Sequence, residues 1–275
     1  MSRRCGVLGD PIAHSLSPVL HRAGYAEHGL DWSYDAHRVP SGGLATFLSG
    51  LDDTWRGLSL TMPLKREALD LADRLTDRAR LAGAVNTLVL EDGERVGDNT
   101  DLPGAAAAIR ERTTMPLASA TFLGGGATAS SIGLALLDLG VRTVEVLVRE
   151  ESRAQETVAA LRSHAAGAEV RTGRLSSDTA IDADIVVSTI PAAAQTTAVV
   201  GRCSAVRVVF EALYDPWPTP LAASVLDGPE PRTLVGGLDL LVHQAALQFE
   251  LFTGLRAPLE AMREAGRQAL AGRSA

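Results

Sequence analysis

The sequence predicts an α/β protein built as two lobes, and three observations carry that prediction. Short β-like runs alternate with Ala-, Leu- and Arg-rich stretches of helical period, the pattern of parallel strands joined by crossover helices. The chain has 275 residues, long for one core and comfortable for two of about 100–150 residues each. Midway along, a strand runs into Gly124-Gly125-Gly126-Ala127-Thr128-Ala129 and then into a helix, the setting of a dinucleotide-binding domain.

In order, Arg4–Leu8, Trp32–Val39, Gly57–Leu60 and Thr87–Glu91 read as strands, with helices near Pro18–His28, Leu64–Ala72 and Pro103–Arg112. A second series of strands follows at Ala120–Leu123, Val144–Val148, Val170–Thr172, Ile185–Ser188, Val206–Phe210 and Thr233–Val235. Its longest helices are Ala127–Leu139 and Ser152–His164. After a Gly236-Gly237 hinge the tail is again helical. The expected division is a substrate-binding domain over 1–103, completed by 238–275, and a Rossmann-like nucleotide domain over 104–237, with a cleft between them.

A net charge of -7 without a basic run argues against nucleic acid or an anionic membrane as partner, because both need clustered Lys and Arg. A small-molecule substrate fits better. Cys5 and Cys203 are isolated and the six histidines lack ligand spacing, so neither a disulfide framework nor a metal is expected. With no apolar leader run or membrane span, a cytoplasmic protein is expected, and both a monomer and a homodimer are compatible with the sequence.

Gly124 permits a tight turn, Gly126 lets backbone approach a pyrophosphate, and the helix beginning at Ala127 offers N–H groups to phosphate. A glycine-rich loop alone would read the same way. At the end of the next strand, where a carboxylate would hold the ribose of NAD, the chain has Val148-Arg149-Glu150, with Arg153 one turn later. Arg149 favours the 2′-phosphate of NADP, whereas Glu150 leaves NAD as the alternative.

Lys65 is the only lysine beside twenty-five arginines, and the only two asparagines are Asn86 and Asn99. An ammonium can surrender a proton where a guanidinium cannot, so a solitary lysine in Thr61-Met62-Pro63-Leu64-Lys65 suits acid–base work. Ser15-Leu16-Ser17-Pro18 opens a helix, with Ser17 as N-cap and Pro18 at N1, and its two hydroxyls suit a carboxylate. Asp101 reads as a further N-cap, and His14 and His21 as loop and helix-surface residues.

Together these segments resemble the shikimate dehydrogenase family along the whole chain. Ser15 to Pro18 is similar to its Ser-x-Ser-Pro element, Thr61 to Lys65 to Thr-(Val/Met)-Pro-x-Lys, Ala82 to Thr87 to AGAVNT, and Gly97 to Asp101 to GDNTD. Tyr214 to Leu221 resembles its Tyr-x-Pro-x-x-Thr-Pro-Leu element, and Gly237 to Ala246 its segment ending in Gln-Ala-Ala. The resemblance implies reversible NADPH-dependent reduction of 3-dehydroshikimate to shikimate, a step of aromatic amino-acid biosynthesis through chorismate. By it, Lys65 and Asp101 are catalytic. Ser15, Ser17 and Tyr214 hold the carboxylate, while Thr61, Asn86, Asp101 and Gln244 bond the ring hydroxyls. Asp77, Gly124, Gly125, Gly126, Ala127, Thr128, Arg149, Arg153, Ala212, Leu213 and Gly237 contact the cofactor.

Four positions depart from the family pattern. Ser59 replaces an asparagine, Val148-Arg149-Glu150 replaces Asn-Arg-Thr, Leu102-Pro103 stands where a glycine is usual, and Leu240 replaces a methionine. These keep a quinate or aminoshikimate dehydrogenase paralogue, with NAD as its cofactor, as the alternative. A catalytically silent dinucleotide sensor is the alternative from another class, and the joint presence of Lys65 and Asp101 argues against it.

Overall fold

The computed structural model describes residues 2–273 and divides into two compact units, Met1–Thr100 with Leu241–Ala275, and Asp101–Leu240. The first unit opens with β1 (Arg3–Gly9), α1 (Ser17–Glu27), β2 (Trp32–Arg38), α2 (Leu44–Ser49), β3 (Trp55–Leu60) and α3 (Leu64–Glu67). It continues with β4 (Arg74–Leu75), α4 (Asp77–Ala82), β5 (Thr87–Glu91) and β6 (Glu94–Asp98). Its sheet runs β2-β1-β3-β5-β6-β4. The sheet is mixed, not parallel: β1 pairs parallel with β2 and β3, but β5 runs antiparallel to both β3 and β6. The reversal comes from Asp92-Gly93, both at positive φ (51° and 79°), the conformation that two-residue hairpin turns require.

Three further expectations are corrected. The helix from Leu64 ends at Glu67 and gives way to turns well before Ala72. The Ser17 side chain makes no cap bond; instead the Ser15 hydroxyl accepts from the Ser17 N–H at 3.3 Å, so the capping oxygen lies two residues earlier. His21 is not on the helix surface. It is fully buried, because α1 turns that face into an aromatic cluster where the imidazole stacks on Tyr34 at 4.1 Å. Burial drives its pKa down to about 3, with the Gln248 side chain working weakly against it, so the ring stays neutral.

The second unit comprises α5 (Asp101–Arg112), β7 (Ser119–Leu123), α6 (Ala127–Asp138), β8 (Thr143–Val148), α7 (Gln155–Ser163) and β9 (Glu169–Arg174). After them come β10 (Ile185–Ser188), α8 (Thr197–Arg202), β11 (Val208–Glu211), α9 (Pro220–Leu226) and β12 (Thr233–Val235). Every strand pair is parallel and the order is β12-β11-β10-β7-β8-β9. That is the doubly wound Rossmann order, with its switch point between β7 and β10. Strands β10 and β11 are buried throughout, which is why they read as continuous apolar runs. Two helices close the chain, α10 (Gly237–Thr253) and α11 (Leu259–Ala271), and α11 packs on α1 in the first unit. Among the described residues no helix is long and apolar enough to cross a membrane.

Asp98, at the end of β6, is the electrostatic anchor of the first unit. Only 3 % exposed, it accepts from Arg78 through both carboxylate oxygens and from Thr76 Oγ1 and the Asn99 N–H at 2.6 and 2.7 Å. Burial pushes its carboxyl up, but these partners together outweigh burial and hold it below the ordinary range. Its pKa being lower in the folded state, the stabilisation is present at neutral pH and lost as pH falls through that depressed value. Asp98→Asn is expected to cost more than about 2 kcal/mol at pH 7, the scale of a broken buried pair. Urea titrations of both proteins should show the gap shrinking as pH falls below 4. A gap independent of pH would contradict this role.

Candidate active site

In the first unit the motif residues are assembled by the main chain. Thr61 follows β3 and its N–H donates to the Leu8 carbonyl at 2.9 Å, while the Lys65 carbonyl accepts from Val85 N–H at 2.7 Å. The Leu60 N–H donates to the Asn86 carbonyl at 2.7 Å. Thr61, Lys65 and Asn86 are thereby held together where β3 ends and β5 begins. Lys65 and Thr61 are half-buried, whereas Asn86 and Gln244 are 1 % and 7 % exposed.

The Asn86 amide sits in a polar cluster. Its Oδ1 accepts from Thr100 N–H at 2.7 Å and from Thr87 Oγ1 at 2.8 Å. Its Nδ2 donates to Thr100 Oγ1 at 2.9 Å and, more loosely, to Gln244 Oε1 at 3.3 Å. Asn99 donates to the Ala84 carbonyl at 3.0 Å. Within GDNTD, then, Asp98 and Asn99 hold the AGAVNT loop and Thr100 orients Asn86, while Asp101 begins α5 and is 5 % exposed. Ser15 is half-buried and Ser17 buried at the start of α1. Asp77 lies in this unit too, its side chain fully exposed and 2.8 Å from Arg80.

The second unit holds the other predicted residues. Gly124 takes φ +102°, and a side chain there would also strike Thr189 Oγ1 at 2.5 Å. Gly125 is closed in by Ala154, whose Cβ lies 2.9 Å from where a side chain would begin, yet nothing lies within 4 Å of that point at Gly126. The turn is packed on one side and open on the other. Helix α6 starts at this open side, with Gly126 as a cap that offers no side-chain acceptor to its first N–H groups. Such a turn at the switch point fits the pyrophosphate of a dinucleotide.

Arg149 and Glu150 are both exposed past β8, and the Glu150 carboxylate lies 3.5 Å from the Arg153 guanidinium. Gly237 is pressed on the 212–213 backbone, where a Cβ would come within 2.6 Å of the Ala212 carbonyl and nearer still to Leu213. Tyr214 follows, half-buried.

Sequence reasoning missed Glu211, fully buried at the end of β11. It accepts from Gln195 Nε2 at 2.7 Å, Thr219 Oγ1 at 2.8 Å and the Leu213 N–H at 3.1 Å, so it fastens both ends of the loop carrying Tyr214. Burial raises its pKa despite these donors. No local signal marks it, since its partners come from three segments. Gln248, one turn past Gln244 in α10, was also missed, although the i, i+4 spacing could have found it.

A six-stranded parallel sheet of this order with a glycine turn at its switch point defines a dinucleotide-binding α/β protein. Residues 7–88 match the family model for the shikimate dehydrogenase substrate binding domain, and residues 237–265 that for the shikimate 5'-dehydrogenase C-terminal domain. The shikimate dehydrogenase (NADP(+)) of Bacillus cereus is 30 % identical, over 96 % of this chain and 97 % of its own. The crystal structure of Mycobacterium tuberculosis shikimate dehydrogenase is 40 % identical with a TM-score of 0.85, covering 97 % of this chain and 99 % of that one. Quinate dehydrogenase from Corynebacterium glutamicum, in complex with NAD, is 29 % identical with a TM-score of 0.87 and the same coverage. The chain belongs to the shikimate dehydrogenase family.

The two sides of the turn predict opposite outcomes for alanine. Gly125→Ala is expected to destabilise the protein by about 1–3 kcal/mol through overpacking on Ala154, and Gly126→Ala by less than about 0.5 kcal/mol. Thermal melts of the two variants check this; equal losses would mean that the turn has no open side.

Proposed function

We propose that the chain is a cytoplasmic, NADP-dependent shikimate dehydrogenase, interconverting shikimate and 3-dehydroshikimate in aromatic amino-acid biosynthesis. The observation that carries the reading is the single lysine, fastened through its own backbone to the loop of Asn86. Relatives support it by name, the NADP-dependent Bacillus cereus enzyme among them.

Ser15 and Ser17, at the N-terminus of α1, bind the carboxylate with Tyr214. Thr61, Asn86 and Gln244 bond the ring hydroxyls. Lys65 takes the hydroxyl proton as shikimate is oxidised and returns it to the alkoxide on reduction, where its ammonium also stabilises the developing charge. Asp101 orients that ammonium. Bound NADP supplies the hydride acceptor. The turn from Gly124 to Thr128 would hold its pyrophosphate, Arg149 and Arg153 its 2′-phosphate, and Ala212, Leu213, Gly237 and Asp77 would complete the contacts. Arg149, standing past β8 where an NAD site would carry a carboxylate, supports NADP over NAD.

Lys65→Ala is expected to lower kcat by at least about 10²-fold with little change in the KM for NADP, and Lys65→Arg not to restore it. Near-normal turnover by Lys65→Ala would refute the assignment. Arg149→Ala should narrow the preference for NADP by about 1.5–3 kcal/mol and leave NAD kinetics unaltered. The wild-type protein should give a higher kcat/KM with shikimate and NADP than with quinate or with NAD. The reverse order would place it with the quinate enzymes.

A further inference from the structure

We propose that Tyr34, Ser59, Gln248 and Thr87 form one directional hydrogen-bond chain that, together with the Thr100 N–H, holds the orientation of the Asn86 amide before any ligand arrives. These are positioning residues, and their effect on substrate rests on the function proposed above.

The direction follows from groups that have no choice of role. A backbone N–H can only donate, so Thr100 N–H at 2.7 Å fixes which end of the Asn86 amide is oxygen. A backbone carbonyl can only accept, so the bond to the Asn86 carbonyl at 3.1 Å fixes the Gln248 amide nitrogen. That nitrogen also donates to Thr87 Oγ1 at 2.9 Å, and the Thr87 proton is thereby directed to Asn86 Oδ1 at 2.8 Å. Gln248 Oε1 then faces Ser59, whose hydroxyl must donate to it at 2.7 Å and accept from the Tyr34 phenol at 2.5 Å. Every member named is buried.

What the chain presents is an Asn86 N–H beside a Gln244 carbonyl oxygen. Gln244 is fixed likewise, because its Nε2 donates to the Leu241 carbonyl at 3.0 Å. The two amides meet across a loose bond, at 3.3 Å. A donor next to an acceptor complements a neutral hydroxyl, which accepts from one and donates to the other; an ammonium, with donors only, leaves Asn86 unanswered. Ser59 therefore serves selectivity from behind the site.

Thr87→Val removes one donor at nearly constant volume. With shikimate and NADP it is expected to raise the KM for shikimate about ten-fold, leaving the KM for NADP unchanged, and Thr87→Ser to restore it. Equal rises in both KM values, or none, would overturn the proposal. A second measurement needs no substrate. The chain has two asparagines, so ¹⁵N-asparagine labelling yields two side-chain amide pairs by NMR. Thr87→Val, and Ser59→Ala at the far end of the chain, should both shift the Asn86 pair and leave that of Asn99 in place. An unmoved Asn86 pair in either folded variant would overturn the proposal. If the wild type fails to oxidise shikimate while the Asn86 pair responds, the functional reading falls and the network stands.

Discussion

The donation from Thr100 N–H to Asn86 Oδ1 is the contact on which the substrate unit depends. It joins the GDNTD segment to the AGAVNT loop, two stretches that flank the adjacent strands β6 and β5 and are separated by a hairpin in sequence. Around it the polar groups are mutually satisfied, which a buried cluster must achieve to avoid costing more than it contributes. Asp98 secures the same loop from the other side through Arg78, Thr76 and Asn99. The result is an amide with one permitted orientation, on the residue next to Val85, whose N–H donates to the carbonyl of the half-buried Lys65.

The nucleotide unit solves its own version of the same problem. Its glycines differ in purpose: Gly124 satisfies a backbone angle, Gly125 makes room for Ala154, and Gly126 leaves space. Glu211 then fixes the loop of Leu213 and Tyr214 with neutral donors alone, and the carboxyl responds with a raised pKa. The family spans shikimate and quinate relatives of nearly equal structural likeness, so overall fold does not discriminate substrates here.

Much of this was legible in the sequence. The strands of the nucleotide unit declare themselves because a parallel sheet covered on both faces needs continuous apolar runs, and β10 and β11 are four residues each of nothing but buried side chains. Strand β6 was hidden because Glu94-Arg95-Val96-Gly97-Asp98 carries too much charge to read as a strand, although the Asp92-Gly93 turn before it is a hairpin signal. His21 misled because a neutral imidazole can be buried against aromatic rings, and nothing local distinguishes it from a solvated one. Ser59 looked like a doubtful position in the ring pocket. Its 2.7 Å bond to Gln248, 189 residues away, is a long-range contact that no local pattern encodes.

The crystal structure of the chain with shikimate and NADP tests the central claim, that the site is oriented in advance by its buried hydrogen bonds. The account predicts Asn86 Oδ1 still on Thr100 N–H and Thr87 Oγ1, with its Nδ2 donating to a ring hydroxyl between Asn86 and Gln244. An Asn86 side chain that has rotated away from Thr100, or a ring bound without contact to Asn86, would contradict it.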